Sequence, residues 1–346
     1  MRGGVVCRVG LDARDIVVSG VQTISVRSAD DGVRLDRWFK KHFPDVTNGR
    51  LQKWLRTGQV RVDGGRAKTS NRVHAGQIIR VPPVPMPSNP QERPKITARI
   101  DEHRAEELRQ RILYRDDDML IIDKPSGLAV QGGSKTTEHL DAYLDELRFD
   151  GDERPRLVHR LDKDTSGTLV LARSGKAARW LTAAFRGRET RKLYWAVVVG
   201  QPNPSEGLID TYLDKRRAGG VEKMAIVDKG DGQRAQSVYR EIARSGRVAA
   251  WLAMEPLTGR THQLRVHAAD VLGTPILGDG KYGGPDAYVE GGGVSRLLHL
   301  HARGIRVPRP GRSAVEAFAP LPPHMAETFG FLGFTENEAE PGFLES

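Results

Sequence analysis

The chain has 346 residues, 38% of them hydrophobic and 28% charged, the balance of a globular protein long enough for two domains of roughly 150 residues each. Its formal charge of +10 is unevenly placed, with twelve Lys/Arg against three Asp in residues 33–83, and such concentration suits polyanion binding because each neutralised phosphate releases counterions. No apolar run approaches the roughly 20 residues of a membrane span; charges at Arg2, Arg8, Asp12, Arg14 and Asp15 interrupt the apolar core a secretory signal needs; and Cys7, the single cysteine, rules out an internal disulfide and cysteine-cluster metal sites. The expectation is a cytoplasmic monomer, away from membranes and working without a metal.

In chain order, residues 1–23 read as an extension. Leu35, Trp38, Phe39 and Phe43 then fall at helical spacing, and Thr47 or Asn48 caps a second helix with Leu51, Trp54 and Leu55 on one stripe, ended by Gly58. Val60 and Val62 lead into the hairpin signal Asp63-Gly64, and residues 77–81 read as a returning strand. Six prolines between Pro82 and Pro94 stiffen the next stretch into a linker. That sets a domain at 24–83 apart from a connecting segment at 84–107, with a helix spanning 101–112.

The remainder alternates strands and loops, with strands expected at 119–123, 168–172, 193–199, 235–243, 248–254 and 296–307. Ser174 caps one helix running to Phe185, and Thr261 caps another running to Leu272. Short turns such as Arg244-Ser245-Gly246-Arg247 imply a largely antiparallel sheet with helices packed on it, an α+β domain over 108–333. The tail at 334–346, with Glu336, Glu338, Glu340 and Glu345, is expected to fray.

The most informative stretch for chemistry is RLVHRLDKDTSGTLVLA at 156–172, where Asp162 and Asp164 sit in a polar loop that breaks at Gly167 and feeds a strand. A carboxylate there is either a catalytic group held by a strand or a turn residue capping its own backbone. His159, His262, His267, His299 and His301 raise the question of zinc, yet His262 and His267 are five apart and diverge on a helix, and no HExxH occurs. These histidines are read as core or RNA-contacting residues. Gly132-Gly133 and the glycines at 291–293 lack a phosphate-loop pattern and GxxxxGK[ST] is missing, so no nucleotide cofactor is expected.

HRLDKDTSG (159–167) closely resembles the catalytic motif of the RluA-type pseudouridine synthases. KPSGLAV (124–130), RKLYWAVV (191–198), GRTHQLRVHAADVLGTPILGDGKYGG (259–284) and LHLHA (298–302) resemble that family's other motifs and follow in its order. Residues 33–83 independently resemble the RNA-binding domain named after ribosomal protein S4. Within the family, GQVRVDGGRAKTSNRVHAGQIIRVPP (58–83) looks most like the RluC branch, with the RluD branch close behind.

The resemblance implies a small S4-like α/β domain followed by a synthase domain on a largely antiparallel mixed sheet with flanking helices. It implies isomerisation of specific uridines of 23S ribosomal RNA, free or in a pre-50S particle, to pseudouridine. That reaction breaks the N1–C1′ bond, turns the uracil and joins C5 to C1′, with no redox step and no cofactor. A carboxylate suits it, either attacking C1′ or acting as a base toward the ribose. The resemblance assigns that role to Asp162, makes Arg265 its steadying cation, and stacks Tyr194 on the uracil with its hydroxyl as a candidate for removing the C5 proton. Arg160 is the candidate to fill the space left by an extruded base, and His159, Arg260, His262 and Gln263 complete the expected substrate contacts. RNA affinity is expected from Arg34, Arg37, Lys40, Lys41, Arg50, Lys53, Arg56 and Arg61. Two other readings stay open: a non-catalytic ribosome assembly factor, and a hydrolytic nucleosidase using Asp164 as its second carboxylate.

Overall fold

The computed structural model describes residues 20–44, 46–84, 101–132, 138–218, 221–289, 294–339 and 342–344. The extension before residue 20, linker residues 85–100, Cys7, Gly133, the glycines at 291–293, Glu340 and Glu345 lie outside them. The chain divides into two compact units, Met1–Lys95 and Ile96–Ser346.

In the first unit, strand β1 (Gln22–Ser25) precedes helices α1 (Leu35–His42) and α2 (Asn48–Arg56), followed by β2 (Arg61–Val62), β3 (Gly65–Arg66) and β4 (Ile78–Val81). The strands form one antiparallel sheet in the order β1-β4-β2-β3. Leu35, Trp38 and Phe39 of α1 and Leu51, Trp54 and Leu55 of α2 share a core with Val60, Val73, Ile79 and Val81, each large side chain contributing roughly 1.5–3 kcal/mol by leaving water. Thr47, not Asn48, is the cap of α2, its side chain accepting the Arg50 N–H. Asp63 and Gly64 both adopt positive φ, 48° and 76°, as the two-residue type I′ hairpin loop requires. Pairing to β4 orders β1 from Gln22 onward, so the unit starts before the expected residue 24.

Helix α3 (Glu102–Gln110) belongs to the second unit and not to the connecting segment. Its Ala105 and Leu108 share a core with Leu120, Ile122, Leu169 and Leu171. The sheet is built from β5 (Ile112–Arg115), β6 (Met119–Lys124), β7 (Arg156–Leu157), β8 (Ser166–Ala172), β9 (Arg191–Val199), β10 (Glu206–Ala218), β11 (Val221–Val227), β12 (Gln233–Ser245), β13 (Ala249–Pro256), β14 (Leu300–Arg309) and β15 (Arg312–Phe318). Its order is β11-β10-β12-β13-β9-β14-β8-β6-β5, with β15 beside β14 and β7 beside β8. Every pairing is antiparallel except that of β14 with β8. Because side chains alternate across a strand, β6 and β8 are buried on both faces. Leu120, Ile122, Leu169 and Leu171 face α3 and the 3-10 helix Leu140–Leu147. Met119, Ile121, Val170 and Ala172 face Ala177 and Leu181 of α4 (Gly175–Gly187), which Ser174 caps.

Four expectations need correction. Thr261 caps nothing: α5 (Gln263–Val266) starts after His262, which holds a left-handed φ of 53° without a side-chain cap, and continues as the π-helical turn His267–Val271. Strand β14 begins four residues later than position 296. Strands β10, β11 and β15 and helix α6 (Pro323–Leu332) were not anticipated. The acidic tail is anchored, since Phe334 and Leu344 lie in a core with Trp195, Trp251 and Phe329. There the Leu344 N–H donates to Glu255 and its carbonyl accepts from Arg191. A count of acidic residues hides those two apolar anchors.

Candidate active site

Asp162 lies in the loop joining β7 to β8, and the preceding KPSG turn braces that loop. Lys124, fully buried at the end of β6, donates from Nζ to the carbonyls of Pro125 (2.8 Å), Leu128 (2.9 Å) and Lys163 (3.0 Å). Ser126 Oγ donates to the Asp164 carbonyl at 2.8 Å, and the Gly127 N–H to that of Lys163 at 3.0 Å. Burial pushes the Lys124 ammonium down to about 7, a cost that three well-placed carbonyl acceptors offset. On the far side of the loop, β8 approaches β14 at Gly167, whose φ is 107° and where a Cβ would stand 2.2 Å from the Ala302 carbonyl oxygen. Any side chain there would push β8 away from β14 and shift the loop in front of it.

The loop presents Asp162, its side chain 30% exposed, to a cavity of about 870 Å³. Arg265, on α5, reaches to 3.9 Å from Asp162 Oδ2. It is held from behind by Asp279, itself 1% exposed, through two parallel hydrogen bonds of 2.8 Å from Nε and 2.7 Å from Nη2. Such a fork fixes the guanidinium plane. Burial works against the Arg265 charge, but Asp279 and Asp162 outweigh it and raise its pKa. Tyr282 completes the support: Arg265 sits 5.2 Å from its ring centroid, and its hydroxyl lies 2.7 Å from His262 Nδ1 and accepts the Met224 N–H at 3.2 Å. His262 Nε2 is 3.8 Å from Asp162 Oδ2. Burial lowers the His262 pKa despite the nearby carboxylate, which disfavours the charged ring.

All eight expected site residues line this cavity: Asp162, Tyr194, Arg265, His159, Arg160, Arg260, His262 and Gln263. Two of them also hold the protein together. Gln263 uses its whole amide inside the protein, accepting from Thr258 Oγ1 (2.7 Å) and the Arg260 N–H (3.0 Å) and donating to the Gln236 carbonyl (2.8 Å) and Ser237 Oγ (2.9 Å). His159 accepts the Val170 N–H at 2.8 Å and stacks on Phe185 with centroids 4.2 Å apart, and burial pushes its pKa down to about 3. Burial and the Asp162 charge push the Tyr194 phenol above its ordinary range, which opposes its use as a base and leaves its ring as the useful surface. Asp164 does not line the cavity, which removes the second carboxylate that a hydrolytic mechanism would use. Among the described residues no three His, Cys, Asp or Glu side chains gather to hold a metal ion, and no helix is long and apolar enough to cross a membrane.

Sequence reasoning missed Lys124, Asp279 and Tyr282 as individual residues although their motifs were quoted. Asp279 and Tyr282 meet Arg265 and His262 through a loop, at separations that no periodic pattern marks.

The eight expected RNA contacts all lie in the first unit and are exposed. Arg34 is paired with Asp36 (2.6 Å) and Lys41 with Asp30 (2.5 Å). Arg61 is bonded to the carbonyls of Gly58 and Gly64, and Arg50 lies over Trp54. Arg37, Lys40, Lys53 and Arg56 keep their side chains in solvent.

Residues 118–270 match the family described as RNA pseudouridylate synthase. The chain is 33% identical over 308 residues to ribosomal large subunit pseudouridine synthase C of Vibrio vulnificus, covering 87% of this chain and 93% of the relative. It is 33% identical over 388 residues to mitochondrial RNA pseudouridine synthase 4 of Arabidopsis thaliana, covering 89% and 81%. Among solved structures, the human RNA pseudouridylate synthase domain containing 4 matches with a TM-score of 0.55 at 31% identity, over 67% of this chain and 96% of that one. With a carboxylate steadied by a forked arginine at the end of the HRLD loop, and with relatives aligned along most of its length, the chain belongs to the RluA-type RNA pseudouridine synthases.

Proposed function

We propose that this protein isomerises specific uridines of large-subunit ribosomal RNA to pseudouridine, with Asp162 as the reacting carboxylate. The observation that carries this reading is that Asp162 is the sole carboxylate among the residues lining the cavity, 3.9 Å from an arginine that Asp279 holds in place. Arg265 faces Asp162 and orients it without closing a tight fork on it, because the fork is already taken by Asp279. A carboxylate oxygen of Asp162 meets the ribose of a uridine extruded from its stack, which costs a few kcal/mol that stacking and backbone contacts must offset. Tyr194 supplies the stacking face and Arg160 occupies the vacated position in the RNA. Cleavage of N1–C1′, rotation of the trapped uracil, and closure of C5–C1′ then leave one C5 proton to be lost and one gained at N1. The first unit adds affinity through its exposed cations, in keeping with its resemblance to an S4-like domain. RluC-type target choice is favoured by residues 58–83 and by the Vibrio relative's name.

The C5 hydrogen leaves in the product, so release of tritium from 5-labelled uridine in ribosomal RNA reads the reaction directly. Tritium release that maps to large-subunit RNA is expected. Its complete lack on every ribosomal RNA, free or in particles, would refute the proposal.

A further inference from the structure

The residues lining the cavity include seven Lys/Arg and one acid. Two of those cations are held by the protein: Arg265 by Asp279, and Arg260 by the Arg234 carbonyl (3.0 Å) and Gln233 Oε1 (2.6 Å). Four others are different. Arg186 and Arg188 at the C-terminal end of α4, Lys192 at the start of β9 and Arg160 of the HRLD loop face the same space, and none has an ion pair or side-chain hydrogen bond among the described residues. Elsewhere in this unit guanidinium groups find acids, as Arg111 does with Asp123, Arg191 with Glu255 and Arg234 with Asp210.

The dipole at the end of α4 favours the two arginines that lie there, but it explains neither Lys192 nor Arg160. Lys192 is half-buried, and burial together with the nearby Arg188 charge lowers its pKa to about 8. Arg188 ends α4 in the left-handed region at φ 65°, a conformation a side chain adopts at a cost. Arg160, Arg186 and Arg188 are exposed around the half-buried Lys192, and like charges gathered there repel one another until an anion joins them.

We infer that the group Arg186, Arg188 and Lys192 is a seat for a backbone phosphodiester of single-stranded RNA beside the extruded uridine, next to the position that Arg160 fills. The inference rests on the reading of Asp162 given above and names the substrate feature that the site grips. Guanidinium forks match the two free oxygens of a phosphodiester, and a uridine reaching Asp162 brings its flanking phosphates to the cavity mouth. The seat selects a polynucleotide over free uridine.

The test compares wild type with the double variant Arg186→Ala/Arg188→Ala, with Lys192→Met, with Lys192→Arg, and with Arg247→Ala at the opposite end of β13. Binding of a 23S ribosomal RNA transcript is measured by filter retention from 50 to 300 mM KCl, and tritium release gives KM and kcat. The double variant should flatten the slope of log K against log salt by about 1.4, two contacts at roughly 0.7 each for single strands, and raise KM about 10- to 100-fold, the loss falling mainly on KM. Lys192→Met should raise KM and Lys192→Arg should restore it, while Arg247→Ala changes neither quantity. A double-variant slope within about 0.3 of wild type, or equal losses for Lys192→Met and Lys192→Arg, overturns the phosphate seat. A double-variant slope flattened relative to wild type, in a protein whose wild type releases no tritium, upholds the seat and overturns the catalytic reading instead, because binding is read without turnover.

Discussion

On α1 and α2 of the first unit, Arg37, Lys40, Lys53 and Arg56 stand in solvent with no side-chain partner among the described residues, whereas around the cavity of the second unit Arg265 is clamped by a buried aspartate and Lys124 by three carbonyls. Exposed charges act as a sum, each screened by salt and each replaceable. Buried charges act through geometry, so that moving one atom matters more than removing one charge elsewhere. The proposed function assigns the summed kind to RNA affinity in the first unit and the geometric kind to chemistry at Asp162, and substitutions can test that assignment.

The largest effect is expected at Asp162→Asn, which keeps shape and replaces one carboxylate oxygen by an amide nitrogen. Single-turnover tritium release should fall by about 10⁴-fold or more while RNA retention on filters stays close to wild type; retention of a tenth of the rate would break the catalytic half of the comparison. Asp279→Asn comes next. It leaves a buried guanidinium short of its fork, with a cost of about 3–5 kcal/mol in denaturant titration and a rate loss on the order of 100-fold. If the rate is untouched, Arg265 does not need its support.

Gly167→Ala should lower stability by about 3 kcal/mol or more, because the new Cβ meets the Ala302 carbonyl and the φ of 107° is left without an unstrained alternative. A melting temperature within about 2 °C of wild type would show that β8 and β14 can part cheaply. A smaller, pH-dependent effect comes from the buried imidazoles. Burial lowers His159 and His301 to about 3 and His267 and His299 to about 4, from 6.5. The unfolded chain therefore takes up protons below pH 6.5 that the folded one refuses, so this stability is full above pH 6.5 and is lost progressively as pH falls toward 4. Melting at pH 7.5 and 5 should differ in that direction, and His267→Gln should reduce the difference. The smallest effects belong to the first unit. Alanine at Arg37, Lys40, Lys53 or Arg56 alone should weaken RNA binding about two- to threefold and lower the salt slope by about 0.7–0.9 at most; a tenfold loss at one position would mean that a specific contact, and not a summed field, is at work.

The legible parts of the molecule were those where local pattern and final environment coincide. Leu35, Trp38 and Phe39 fall on one helical stripe, Asp63-Gly64 marks its hairpin, and Ser174 caps α4 because a serine before a helical run has few other uses. The illegible parts depended on partners distant in sequence. β10 and β11 form a ribbon whose outer half pairs only with itself, so no apolar alternation announces it. Phe334 and Leu344 looked like parts of a charged tail until Trp251 and Glu255 gave them neighbours. Gln263 and His159 carried motif identity into the cavity wall, but their hydrogen bonds run back into the protein.

The order of motifs and the basic first unit were set by the linear sequence, since each is a matter of residue type and short-range spacing, and the resemblance those motifs carry is what singles out Asp162, Tyr194 and Arg265. Only the tertiary structure decided which cations are free and which are held. Whether a cation meets a carboxylate depends on loops that bring Asp279 to Arg265 and leave Arg186, Arg188 and Lys192 with none among the described residues, and electrostatic energy is fixed by those distances and by burial, neither of which is written in one dimension.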